Sequence, residues 1–179
     1  MTAEGARRTP LGGMDPALER LGAVEAGPLA QIDVRCSADD AASLGFPITP
    51  NTVSGDMTRG SLWLGPDEWL IVGLPGTAAE TIDELEAALE RSHYSVVDVS
   101  ANRAVIELRS ADRLALLATG CPMDLDPSGG WIPGRCAQTM FAHAQVLLQE
   151  FDHATRVFVR PSFADYLVQR LLAASDVAG

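Results

Sequence analysis

Apolar residues in this chain fall into short runs, separated by segments in which they recur every three or four residues. The short runs, whether alternating or continuous, mark strands, in which successive side chains point to opposite faces. They lie at Gln31–Cys36, Leu62–Leu64, Glu68–Gly73, Ser95–Val99, Ala104–Arg109, Ala137–Ala142, Gln145–Phe151 and Thr155–Arg160. Helical spacing covers about Ala78 to Arg91, with Ile82, Leu85 and Leu89 on one face, then Ala111–Thr119 and Phe163–Ala174. Thr77 with Glu80 reads as a capping box, and Ser162 with Asp165 repeats that logic after Pro161 stops a strand. Gly120 stands where a left-handed residue would close the second helix. Ser37 to Asp40 opens a shorter helix that Gly45 can end, and Phe46–Gly60 reads as a long irregular loop.

Turns at Gly65-Pro66-Asp67 and Ser100-Ala101-Asn102 complete a repeating strand–strand–helix order. It occurs three times, the last with an extra strand. Hairpins rather than β-α-β alternation imply an α+β fold with mainly antiparallel sheets and helices on one face. Residues 1–28, rich in Gly, Pro, Ala and charge, read as a poorly ordered leader with a short helix around Pro16–Leu21. The folded domain is expected over 29–175, as one unit or as two intertwined halves, with 176–179 as a tail.

Composition narrows the picture. The 179 residues are 47% hydrophobic, too apolar for a disordered chain. All 13 basic residues are arginine, set against 24 acids. With a pI near 4.5, phosphate neutralisation on a basic surface is not expected, so nucleic acid is not a partner. The lack of lysine removes Schiff-base, lysine general-base and Walker-type chemistry. Charge is uneven: residues 1–100 hold six arginines and sixteen acids, while 101–179 hold seven and eight. The acidic helix near Ala78–Arg91 is expected to face water and the later, near-neutral part to meet a partner.

Cys36, Cys121 and Cys136 are an odd number without close pairing, which favours a reducing cytosol. Arg7-Arg8 lacks a following apolar stretch and reads as a solvated tail. The run Trp69–Leu74 falls far short of the about 18 residues of a membrane span. A cytoplasmic protein without a membrane partner is the expectation.

No metal, cofactor-binding or catalytic site emerges from the residues. Zinc ligands usually come in close pairs, whereas Cys121 and Cys136, or His143 and His153, are far apart. Asp124 and Asp126 precede Pro127-Ser-Gly-Gly130 and read as an Asx turn. No G-x-S-x-G elbow is present, and His93, His143 and His153 each fall at an exposed turn or helix end. The loop Gly73-Leu-Pro-Gly-Thr77 joins a strand to a helix, but without lysine and before an acidic helix it is no phosphate site. Trp63, Trp69 and Trp131 are anchors of either a core or an interface.

Several segments resemble the gamma subunit of heterotetrameric sarcosine oxidase. They are Leu64-Gly-Pro-Asp-Glu-Trp-Leu-Ile71, Val97-Asp-Val-Ser-Ala-Asn-Arg103, Gly120-Cys-Pro-Met-Asp-Leu-Asp-Pro127, Gly134-Arg-Cys-Ala-Gln-Thr139 and Arg160-Pro-Ser-Phe-Ala-Asp-Tyr-Leu167. Together, in order, they place the resemblance over roughly Leu62 to Leu172. The resemblance implies a fold similar to the folate-binding aminomethyltransferase of the glycine cleavage system. It also implies alpha, beta and delta partner subunits holding FAD, FMN, NAD, tetrahydrofolate and zinc, and an assembly that demethylates sarcosine to glycine. This chain would be a non-catalytic scaffold, inactive in isolation. Asp98, Ser100, Arg103, Arg160, Ser162 and Tyr166, with the three tryptophans, are its candidate interface or structural residues. A stand-alone folate-binding one-carbon transferase and a small-molecule binding module are the competing readings.

Overall fold

The computed structural model describes residues 9–178. Ten strands form two five-stranded antiparallel sheets. One sheet is built from β2 (Ala30–Arg35), β3 (Val53–Gly55), β4 (Arg59–Gly65), β5 (Glu68–Gly73) and β6 (Ser95–Asp98), in the order β3-β4-β5-β2-β6. The other takes β1 (Ala23–Glu25) with β7 (Ala104–Leu108), β8 (Cys136–Phe141), β9 (Ala144–Glu150) and β10 (Thr155–Val159), ordered β1-β7-β10-β9-β8.

The sheets face each other, and each carries helices on its outer side. Alternation along the strands decides which residue goes where. In β5, Leu70 and Val72 point into the inter-sheet layer with Leu62, Val105, Leu147 and Phe158. Their neighbours Trp69 and Ile71 point outward, where α2 (Ala38–Ser43) and α3 (Ala78–Leu89) bring Ala41, Leu85 and Leu89. In the second sheet, Ile106, Leu148 and Val157 face α1 (Asp15–Arg20), α4 (Arg113–Ala118) and α5 (Pro161–Ala178). The α+β class, the antiparallel pairing and the one-sided helices therefore hold. Both faces of the central strands are covered, so β7 and β10 are buried along their whole length.

Several local expectations change. β6 and β7 do not form a hairpin: the turn at Ser100–Asn102 carries the chain from one sheet to the other. Phe46–Gly60 is not all loop, since β3 lies in it and β4 begins at Arg59. Residues 9–28, expected within a leader, contribute α1 and β1, and Leu11, Leu18 and Leu21 are buried in the core of the second sheet. The anticipated Arg7-Arg8 tail lies outside the described residues. α5 continues past the anticipated tail boundary to Ala178, and Asp176 accepts from Arg20 at 2.8 Å.

The capping assignments divide. Ser37 caps α2 through its side chain, which accepts from the Asp40 amide at 3.1 Å. Gly45, at φ 74°, ends the same helix: its amide donates to the Ala42 carbonyl at 3.0 Å and the Phe46 amide to the Ala41 carbonyl at 2.9 Å. Thr77 makes no cap: its hydroxyl donates backward to Leu74 O at 2.9 Å. Ser162 lies inside α5, because Pro161 begins the helix, where its fixed φ suits and its missing N–H is no loss. Gly120 has no left-handed φ but is needed for space. A Cβ there would meet the Phe141 ring at 2.8–3.1 Å. Gly120→Ala is accordingly expected to cost about 1–3 kcal/mol through overpacking, measurable as a lower urea midpoint.

Candidate functional site

The anticipated residues separate into three places. Trp69 is fully buried, donates from Nε1 to Pro47 O at 2.8 Å and lies 6.1 Å from the Phe46 ring. Its cross-strand partner Trp63 is half-buried against the same cluster. Trp131 is also buried, and its Nε1 donates to Glu150 Oε2 at 3.1 Å. Trp69 and Trp131 are thus core residues in this chain.

The second place is the crossover turn. Asp98 Oδ1 accepts from the Ser100 amide at 2.9 Å and from its hydroxyl at 2.6 Å. These bonds hold the Asp98 carboxyl below the usual carboxylate range. Ser100 Oγ in turn accepts from the Gln31 amide at 3.0 Å, and Gln31 Nε2 donates to Arg103 O at 3.0 Å. Asp98, Ser100 and Gln31 therefore clamp the crossover onto β2 and fix the backbone from which Arg103 projects.

The third place is where Arg103 meets the start of α5. The β7–β10 register pairs Ala104 with Val159, so the residues just beyond the pair, Arg103 and Arg160, leave the sheet side by side. Together they line a cleft of about 340 Å³ with Gln138 and Gln145, and a second of about 460 Å³ with Asn102 and Ser162. Burial lowers the Arg103 pKa and Arg160 adds to that, while Asp33 and Glu68 oppose it. Tyr166, one turn into α5, is half-buried in edge-to-face contact with Phe163 at 6.3 Å.

Residues that the sequence analysis passed over form two buried polar clusters. Between the sheets, Arg156 Nε donates to Glu107 Oε1 at 3.0 Å and Arg109 Nη2 to Glu107 Oε2 at 2.7 Å. On the outer side of the second sheet, Arg113 Nη2 donates to Glu150 Oε1 at 2.7 Å, and Thr155 and Trp131 bind the other carboxylate oxygen. The available signal was a charged residue inside an apolar strand run: Glu107 in Ala104–Leu108 and Arg156 in Thr155–Val159.

Comparison with known proteins decides the family. The sequence model of the sarcosine oxidase, gamma subunit family matches residues 27–177. The chain belongs to this family. It is 34% identical to sarcosine oxidase subunit gamma from Corynebacterium sp. (strain U-96) over 136 residues, which are 75% of this chain and 65% of that one. The corresponding subunit from Arthrobacter sp. is 36% identical over 114 residues, 55% of its length. The matched region thus spans less than two thirds of each of these relatives.

Among solved structures, a chain of heterotetrameric sarcosine oxidase from Corynebacterium sp. U-96, in complex with pyrrole 2-carboxylate, superposes with TM-score 0.84 at 30% identity. The alignment covers 94% of both chains. Glycine cleavage system aminomethyltransferase T from Bartonella henselae shares the fold at TM-score 0.64 and 14% identity, over 93% of this chain and 50% of that one.

This gamma-family chain shows no group of three or more potential metal-binding side chains among the described residues. Likewise, no described helix is long and apolar enough to cross a membrane. His93, His143 and His153 are all exposed, and Asp126 forms the expected Asx turn with the Ser128 amide at 2.7 Å. All three cysteines are buried. Burial pushes the Cys136 thiol up to about 12, with the nearby Arg135 charge opposing. Since the thiolate is the reactive species, a thiol-labelling reagent at pH 8 is expected to leave the folded protein unmodified. All 3 cysteines should react once denaturant is added.

Proposed function

We propose that this chain is the non-catalytic structural subunit of a heterotetrameric, flavin-dependent sarcosine oxidase in the cytoplasm. The assembly oxidises sarcosine to glycine, reduces oxygen to hydrogen peroxide and passes the one-carbon unit to tetrahydrofolate. Its alpha, beta and delta subunits carry FAD, FMN, NAD, tetrahydrofolate and zinc. The observation that carries this reading is the superposition on a chain of that heterotetramer over 94% of both lengths. The internal use of the ionisable groups supports a structural role: Glu107, Glu150, Arg113 and Arg156 are consumed in pairs within the fold.

Large exposed apolar residues occur in both halves, Ile48, Leu74 and Val97 in the first and Ile132 and Phe163 in the second, so apolar exposure does not by itself place the partner surface. The acidic side chains of α3 point to water, as Glu80, Asp83, Glu84 and Glu86 are all exposed. Co-expression with the three partner subunits tests the proposal. The chain should co-purify stoichiometrically, and sarcosine-dependent peroxide formation should fall when it is omitted. A stable monomer that ignores those partners overturns it. Calorimetric tetrahydrofolate binding by the isolated chain would favour a stand-alone transferase instead.

A further inference from the structure

We propose that Arg103 and Arg160 form a binding site for a single carboxylate group, set where the β6–β7 crossover meets the first turn of α5. Strand register brings them together: Ala104 faces Val159 across β7 and β10, and the two arginines follow immediately on either side. Both line each of two adjoining clefts, of about 340 and 460 Å³.

The pair lacks a counter-ion of its own. Arg20, Arg35, Arg59, Arg109, Arg113 and Arg156 each pair with a carboxylate at 3.0 Å or less. Arg103 and Arg160 make no ion pair among the described residues. The acids that act on Arg103 are Asp33 and Glu68, and both already engage Arg35, at 3.9 and 2.7 Å. The Arg160 charge acts on Arg103, and an anion seated in the clefts that both line would offset that repulsion.

The chemistry of the walls selects the ligand. Guanidinium forks match planar carboxylates bidentately. Asp33 and Glu68 already act on Arg103, so a single carboxylate is the anion matched to what positive charge is left. Gln138 and Gln145 add amide groups to the smaller cleft, and Ser162 a hydroxyl to the larger. The backbone carrying Arg103 is clamped by Gln31 and Ser100, so the site is held in place before a ligand arrives. The carboxylate comes from one of two sources: a free organic acid, or an acidic side chain of a neighbouring subunit. The site itself does not rest on the assembly proposed above.

Benzoate is the probe, titrated into the full chain by calorimetry, with neutral benzamide as control. Saturable benzoate binding is expected, weakened at least tenfold in Arg160→Gln, with benzamide silent and the exposed Arg91→Gln unchanged. Arg103→Gln should behave like Arg160→Gln. Because Arg103 is half-buried, Arg103→Lys is the second variant there, keeping the charge while losing the fork. Binding retained in the assembled oxidase assigns the site to a free acid. Binding lost on assembly, together with looser assembly of Arg160→Gln, assigns it to a subunit's carboxylate. Absence of saturable binding by the full chain, or equal affinity in the wild type and both glutamine variants, overturns the proposal. If the chain stays soluble only with its partners, Arg160→Gln must either abolish benzoate binding or loosen the complex. A change in neither overturns the proposal.

Discussion

Replacing Glu107 by alanine is expected to cost about 3–5 kcal/mol, because it strands a buried arginine without its carboxylate. Glu107 and Arg156 are each only 4% exposed. Arg156 would keep the Met57 carbonyl, at 2.9 Å, and the weaker, more distant pull of the exposed Asp56, but no carboxylate bonded to it. Urea unfolding should show a lower midpoint with an unchanged slope. The double variant Glu107→Leu/Arg156→Met should recover most of the loss, since it removes both charges and fills the space with apolar atoms. If the double variant is no more stable than Glu107→Ala, the stranded charge is not the cause.

Acid exposes the same carboxylate. Burial raises the Glu107 pKa, but hydrogen bonds and charge from Arg109 and Arg156 outweigh it and hold it below the usual value. Its stabilising contribution is therefore complete above the unfolded pKa of about 4.3 and disappears as pH falls through the depressed folded value. Asp98 acts in the same direction. Glu68, raised first by burial and then by Asp33, acts in the opposite one. Denaturant midpoints measured between neutral pH and pH 3 should fall at the acid end, and the fall should be smaller in the double variant.

Trp69→Ala carries the second large expected effect, about 3–5 kcal/mol. The indole has 0% exposure, packs between the first sheet and α3, and supplies the hydrogen bond that ties Pro47 to β5. Ile132→Ala, at a large apolar residue 47% exposed, should change stability by no more than about 0.5 kcal/mol. The contrast separates the two roles open to a large apolar residue, one measured by unfolding and the other by partner binding. Should Trp69→Ala leave the midpoint unchanged, the indole does not hold β5 to α3.

How much of this was legible depended on the range of the interactions. The short apolar runs Glu68–Gly73 and Thr155–Arg160 marked strands, and they are apolar at successive positions because one face of each meets the opposing sheet and the other meets helices. Gly45 and Ser37 were readable as caps because their partners lie within five residues. Thr77 and Gly120 carried equally plausible signals and were used otherwise. Thr77 turns back to Leu74, and Gly120 yields space to Phe141, a residue 21 positions away in sequence. Leu11 and Leu18 sit in a segment of leader-like composition, and only the second sheet's helical face gives them a place to be buried.

The sequence by itself determined the α+β class, the strand–strand–helix order, the exposed acidic face of α3 and, through its ordered motifs, the gamma-subunit family. These depend on local periodicity and on residue identity at short spacing. Only the tertiary structure decided that Ser100–Asn102 crosses between sheets, that Trp69 and Trp131 are core, and that Glu107 and Glu150 are neutralised inside the fold. It also placed Arg103 beside Arg160, 57 positions apart in the chain. Each of these follows from strand register and from which face a sheet turns to its neighbour. Register is set by the summed burial of many side chains across both sheets, a quantity that no local stretch of residues contains.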